Sequence, residues 1–290
     1  MRIEWLLLCV LAGGLEAAEP LAARIRHTDP AQYRHAKSVH GGAPGGLSYM
    51  GLLDRLDLNT NLIFVHRGVI PPKGGIGHHF HNQMEEMFVI FDNEAEFTIN
   101  GRASRMQGPA GAPCRMGSSH AIYNPTDKPT EWMNIAVGTV KGQYDAFDLG
   151  DDRVGAAKDA TPVFVSMRLD RKQLRPVEGM LGGKGTAQYR RVLPHTVFYT
   201  NWAFIDHVVL ANGASLGRHR HEGVEEVFYV MNGEGQVHVE KESAPVRKGD
   251  AVPVFLNEAH SFTSAAGGEL ELMIVGVSRQ KGNLDTVEVR

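Results

Sequence analysis

One internal repeat constrains the whole chain. Gly77-His78-His79-Phe80-His81-Asn82-Gln83-Met84-Glu85-Glu86-Met87-Phe88 and Gly217-Arg218-His219-Arg220-His221-Glu222-Gly223-Val224-Glu225-Glu226-Val227-Phe228 share a glycine, two histidines, two glutamates and a phenylalanine. The offset of 140 residues, Gly77 to Gly217, holds without a gap through Pro113/Pro253 to His120/His260. Apolar positions upstream follow it as well: Val65/Ile205, Val69/Val209 and Ile70/Leu210. A chain of 290 residues with this symmetry is read as two copies of one fold. The polar turn Leu149-Gly150-Asp151-Asp152 marks the expected boundary, giving domains 18–150 and 151–290.

Within each copy the pattern is β. Phe228 to Met231 is a short apolar run, Asn232-Gly233-Glu234-Gly235 reads as a turn, and Gln236 to Glu240 alternates polar and apolar, which predicts a hairpin. Arg247-Lys248-Gly249-Asp250 is a further turn before the apolar run Ala251 to Leu256. Short strands between Gly, Asn and Asp punctuation predict an all-β sandwich or barrel. Arg168 to Val177 carries the one weak helical pattern.

The repeated residues are chemically specific. His219 and His221 are two apart, so on a strand both imidazoles point to one face. Glu226 follows across a tight turn, and His260 comes from a later strand. The first half repeats the set as His79, His81, Glu86 and His120. Three neutral imidazoles and one carboxylate suit a divalent transition metal, Fe, Mn, Ni, Cu or Zn, up to two per chain. A lone His-x-His is more often structural; four ligand-type residues kept at identical spacing in two diverged halves point to metal.

At these residues the chain resembles the cupin superfamily. Gly213, His219, His221, Glu226 and Gly233 have the spacing of its first motif, and Gly249-Asp250, Pro253 and His260 resemble its second. The first half departs at Lys73 and Asn93, where glycines belong, but keeps Gly117, His120 and Asn124. The resemblance covers both halves. It implies a bicupin, two tandem double-stranded β-helix (jelly-roll) barrels with metal inside, and it selects Glu86 and Glu226 as ligands. Glu85 and Glu225 are then expected behind the ligands or at the surface. Similar bicupins include quercetinase-like dioxygenases and oxalate decarboxylases.

Four protein ligands leave room for substrate, water or dioxygen on a six-coordinate ion. The expected function is a metal-dependent enzyme on a small oxygen-rich molecule (phenol, enol, diol or carboxylate), with dioxygenase-type oxidation ahead of isomerase, decarboxylase or lyase chemistry. A non-catalytic exported metal- or ligand-binding protein is the alternative from another class. The second half matches the motif more closely, so chemistry is expected there, with Glu226 and His260 as its catalytic residues. A homo-oligomer is compatible with this reading.

Other residues speak less clearly. Cys114 reads as a buried thiol, Trp132 and Trp202 as core, and Arg218 and Arg220 as an outer solvated face. His66, His207 and His238 fit either solvent-facing strand positions or support of the metal ligands. The net charge of −3 offers no basic field for nucleic acid or acidic lipid, so neither is expected as a partner. Arg2, the apolar run Trp5 to Ala12 and the small residues Ala17-Ala18 read as a signal peptide, residues 1–17, too short to span a bilayer. Its removal would take Cys9, leaving Cys114 without a disulfide partner in a secreted or periplasmic protein.

Overall fold

Alternation along each strand divides its side chains between two faces, and here both faces are buried. Met84–Ile90 is buried at every position. The computed structural model describes residues 19–43 and 45–289; the expected signal segment and Cys9 lie outside them. In the first half, a seven-stranded sheet runs in the order Met167–Arg168, Ala110–Cys114, Met84–Ile90, Thr130–Gly138, Leu62–Ile70, Leu47–Leu53, Arg34–Ala36. A five-stranded sheet of Phe147–Asp148, Gly75–His81, Ser118–Tyr123, Glu94–Ile99 and Arg102–Gln107 closes over it. The second half repeats the arrangement, with its two sheets joined through one long strand, Val224–Val239. The all-β, two-barrel expectation holds.

That long strand corrects the hairpin expected at Asn232 to Gly235. The backbone does not reverse there. Gly233 takes a positive φ of 82°, the ladder slips between Val230 and Asn232, and the strand bends from one sheet into the other. The reversal comes later, where Glu234–Val239 pairs with Glu242–Arg247. The weak helical pattern also fails: the region holds a single 3-10 turn, Arg171–Gln173, between Met167–Arg168 and Arg175–Glu178.

The halves meet sheet against sheet. Val65, Met87, Val89, Met133 and Ile135 share one core with their repeat partners Ile205, Val227, Tyr229, Met273 and Val275. Each half also sends a segment onto the other. Arg26–His27 pairs with Asp250 and Ala251 of the second barrel, while the chain beyond residue 150 stays on the first until Met167–Arg168 has paired with Ala110 and Gly111. Fully burying one large aliphatic side chain contributes roughly 1.5–3 kcal/mol, so this shared core ties the barrels together strongly. Among the described residues no helix is long and apolar enough to cross a membrane.

Candidate metal centres

Pairing register builds both sites. His79 lies opposite His120, and His219 opposite His260, which sets two imidazoles side by side on neighbouring strands. His81 and His221 are two residues further along, on the same face. The other sheet supplies the carboxylates. Since 87 and 89 face the shared core, alternation turns Glu86 inward and Glu85 outward. Gly77 and Gly217 admit a crossing segment: a Cβ at Gly77 would lie 1.9 Å from the His40 carbonyl oxygen, and one at Gly217 would lie 1.8 Å from that of Leu181.

All eight predicted ligands are buried, and within each set of four the donor atoms lie within 4.8 Å of one another. In the first set Nε2 of His120 is 2.9 Å from Nε2 of His79, 3.1 Å from Nε2 of His81 and 3.3 Å from Oε2 of Glu86. In the second, Oε2 of Glu226 is 2.9 Å from Nε2 of His260 and 3.3 Å from Nε2 of His221. Donors at right angles about 2.1 Å from an ion stand about 3 Å apart, so the sets fit a transition metal. In the second set, Nε2 of His221 and His260 and Oε2 of Glu226 converge without a hydrogen bond of good geometry. Buried polar atoms left in this way are expected where an ion belongs.

Electrostatics prepares the donors. Burial pushes His81 and His120 below their ordinary range, keeping them neutral. Burial alone would raise the Glu86 carboxyl, but His81, His120 and His79 hold it well below its ordinary range. Glu226 is held down in the same way by His221 and His260. His219 falls to about 4 through burial and the neighbouring His260. His221, also lowered by burial, is carried up to about 9 by Glu226.

A second repeated motif, Lys141-Gly142-Gln143-Tyr144-Asp145 and Lys281-Gly282-Asn283-Leu284-Asp285, orients the ligands and was missed in the sequence. Its signal was the same 140-residue offset. The Asp145 carbonyl faces Nδ1 of His81 at 2.6 Å, and its carboxylate accepts the Asn82 amide at 2.7 Å. Asp285 does the same for His221 and Gly223. Fixing the proton on Nδ1 leaves the Nε2 lone pair free to hold a metal.

Glu85 and Glu225 are neither surface groups nor support for their own ligands. Each is fully buried and receives a loop of the opposite half. Glu85 accepts the Tyr199 and Thr200 amides, both at 2.8 Å, and the Thr200 hydroxyl at 2.6 Å. Glu225 accepts the Thr60 amide at 2.6 Å and the Asn59 side chain at 3.0 Å. Lys141 reaches the Leu58 carbonyl oxygen in one loop, and Lys281 the Phe198 carbonyl oxygen in the other.

The halves differ around the metal group. A cavity of about 250 Å³ opens onto His79 and Glu86, between Tyr49, Phe64, His66 and Trp132. Asn134 lines it and donates to Oε2 of Glu86 at 3.1 Å. Nε1 of Trp132 and Oδ1 of Asn134 are buried without partners. His40 stacks on His79 with centroids 3.9 Å apart, and its Nδ1 is 2.5 Å from Asp148. His66 stacks on Phe64, and burial lowers it to about 4. None of these four polar residues, His40, His66, Asn134 and Asp148, entered the sequence reading of the site except His66.

Cys114 is a buried thiol, pushed up by burial. Trp132 and Trp202 are buried. Arg218 and Arg220 lie on the outer face beside Glu240 and Glu222. His238 is exposed, whereas His207 is buried and sits 2.7 Å from Glu271.

Residues 206–276 match the family model described as the cupin domain. An oxalate-binding protein of Thermotoga maritima is 29% identical over 99 residues, 34% of this chain and 82% of that protein. Among solved structures, oxalate decarboxylase of Lactobacillus farciminis superposes with a TM-score of 0.64 at 12% identity, covering 91% of this chain and 88% of its own. Salicylate 1,2-dioxygenase of Pseudaminobacter salicylatoxidans gives 0.57 at 16% identity, covering 79% and 76%. The coconut allergen cocosin gives 0.64 at 12%, covering 88% and 84%. At such identities these structures show the fold, which enzymes and an allergen share. With a cupin-domain match in its second half and the repeated barrel in its first, the chain is a bicupin with two metal-site-like groups.

Proposed function

We propose that this bicupin is a metal-dependent enzyme on a small, flat molecule with a phenolic, enolic or carboxylate oxygen, and that its chemistry takes place at the first group. The observation that carries this is the aromatic-walled cavity on His79 and Glu86. A divalent ion on His79, His81, Glu86 and His120 would supply a Lewis-acidic centre with positions left for substrate oxygen and, for a redox metal, dioxygen. Tyr49, Phe64 and Trp132 grip a flat ring and exclude water. Asn134 holds Glu86 in place, and the neutral His66 ring is placed to accept a hydrogen bond from a substrate hydroxyl. No lysine or arginine lines this inner cavity, which disfavours a small dianion and favours a phenol or enol as the group that meets the metal.

A second reading, binding or decarboxylation of oxalate, is supported by the oxalate-binding relative. The test is a metal-replete chain given a panel of catechols, enols and oxalate. Oxygen uptake with a phenol or enol supports the proposal; carbon dioxide release from oxalate without oxygen uptake replaces it with the second reading. Ligand binding with no turnover leaves a binding protein. We also propose export, with cleavage after Ala17; N-terminal sequencing that finds Met1 on protein from the native host refutes it.

A further inference from the structure

The inner cavity has an outer neighbour. A chamber of about 460 Å³ shares Tyr49 and His66 with it and is lined further out by Gly51, Arg26 and Arg34. Gly51 sits directly across the ladder from His66, and a Cβ built on it meets only Cδ2 of His66, at 3.8 Å. The space above Gly51 is therefore open, beside the Tyr49 and His66 side chains that the two chambers share.

The second half shows the same corridor filled. The residue across from Asp206 is Arg191, the repeat counterpart of Gly51 facing the counterpart of His66. Its guanidinium donates to both Asp206 oxygens, at 2.9 and 3.0 Å, and lies 4.2 Å from the Phe204 ring centroid. Tyr189 adds its hydroxyl to Asp206 at 3.1 Å. Phe204 is the counterpart of Phe64, a wall of the inner cavity. One pair of facing residues thus decides whether this route is open.

The charge at the outer end is uneven. Asp54 accepts the Leu56 amide at 2.7 Å, and Asp57 accepts the Asp54 amide at 2.6 Å. Arg26 stands 3.6 Å from Glu19 and 3.7 Å from Asp57. Arg34 is exposed and makes no side-chain hydrogen bond or ion pair among the described residues. Its charge is the one left to meet an incoming anion.

We propose that the two chambers form one elongated site, in which an oxygen-bearing head binds at the first metal group and a carboxylate tail passes over Gly51 to Arg34. The proposal rests on the reading of the first group as the reacting one. It makes Gly51 and Arg34 determinants of substrate length and charge, and it assigns the substrate to the aromatic or enolic acids rather than to uncharged phenols.

The test is equilibrium binding to the metal-loaded chain, with catechol, caffeate and the methyl ester of caffeic acid as probes. Caffeate should bind about tenfold or more tighter than its ester, the scale of one hydrogen bond to a charged group. Arg34→Gln should erase that preference and leave catechol, which is too short to reach it, unchanged. Gly51→Arg combined with His66→Asp rebuilds the second-half pair and should expel caffeate while both metals stay bound. Equal binding of caffeate and ester, or equal weakening of both by Arg34→Gln, overturns the elongated site alone. Catechol failing to bind a chain that holds its metals overturns the first-group reading and this inference with it.

Discussion

Asn134 holds Glu86 in the first half; Ile274 occupies the matching place in the second, and Glu226 is left to its histidines. The same contrast runs round both sites. Trp132 is matched by Leu272, His66 by Asp206, and His40 by Leu181, whose carbonyl oxygen lies against Gly217 as that of His40 lies against Gly77. The left-handed backbone of His40, φ 53°, recurs at Leu181, φ 55°. That conformation therefore belongs to the shared turn, and only the side chain mounted on it differs. Two equal sets of ligands have been given unequal surroundings. The half that matches the family motif more closely is the one with aliphatic side chains and an ion pair where the other carries its aromatic-walled cavity. Ligand spacing reports that a metal can be held; the wall around it reports what the metal meets.

The largest effect should come from removing one ligand charge at a time. Glu86→Gln should lose the first metal and cut turnover by roughly 10³-fold or more, given several kcal/mol of charge stabilisation from a metal. Glu226→Gln should lose the second metal and keep most of the rate. Metal content and turnover per chain check both, and loss of activity in Glu226→Gln alone would return the chemistry to the second half.

Next in size is the exchange of loops. Glu85→Ala leaves the Tyr199 and Thr200 amides without their acceptor, which should cost about 3–5 kcal/mol in denaturant unfolding. Glu225→Ala, which frees the Thr60 amide and the Asn59 side chain, should cost about 2–3 kcal/mol. Equal, negligible costs would mean that the halves do not depend on these contacts.

Asp145→Ala and Asp285→Ala test the repeated lysine-glycine-aspartate motif. Each variant keeps the backbone carbonyl that faces the histidine and loses the carboxylate that anchors the loop, so it should weaken metal in its own half by about tenfold, the low end for a partner behind a ligand, and spare the other. Metal titration of each variant reads this, and a loss shared by both sites would show that the motif acts through global stability.

A last difference separates the sites by pH. His221 carries its proton up to about 9, so a metal entering the second group must displace that proton at pH 7. Affinity there should rise about tenfold per pH unit from 7 to 9 and level off above. The first group, whose His81 and His120 are already lowered, should show no such rise over that range. Competition with a chelator at pH 7, 8 and 9 measures it.

The sequence by itself determined the repeat and the β pattern, because two-residue periodicity and a constant 140-residue offset are facts about order along the chain, and the cupin resemblance at the repeated residues pointed to the barrel and to the eight side chains that gather in two buried groups. It also held the aspartates of the second motif, which the same offset marks. It misplaced the turn at Gly233 because a glycine that bends a strand and a glycine that reverses one leave the same local signature; the ladder on either side decides between them. Only the tertiary structure decided that Glu85 and Glu225 each reach into the other half, since their partners lie more than a hundred residues away. It alone decided that the space over Gly51 is open where the Arg191 side chain lies against Asp206. Access to a buried ion depends on what faces it across the sheet, and facing pairs are set by strand register, which distant contacts fix.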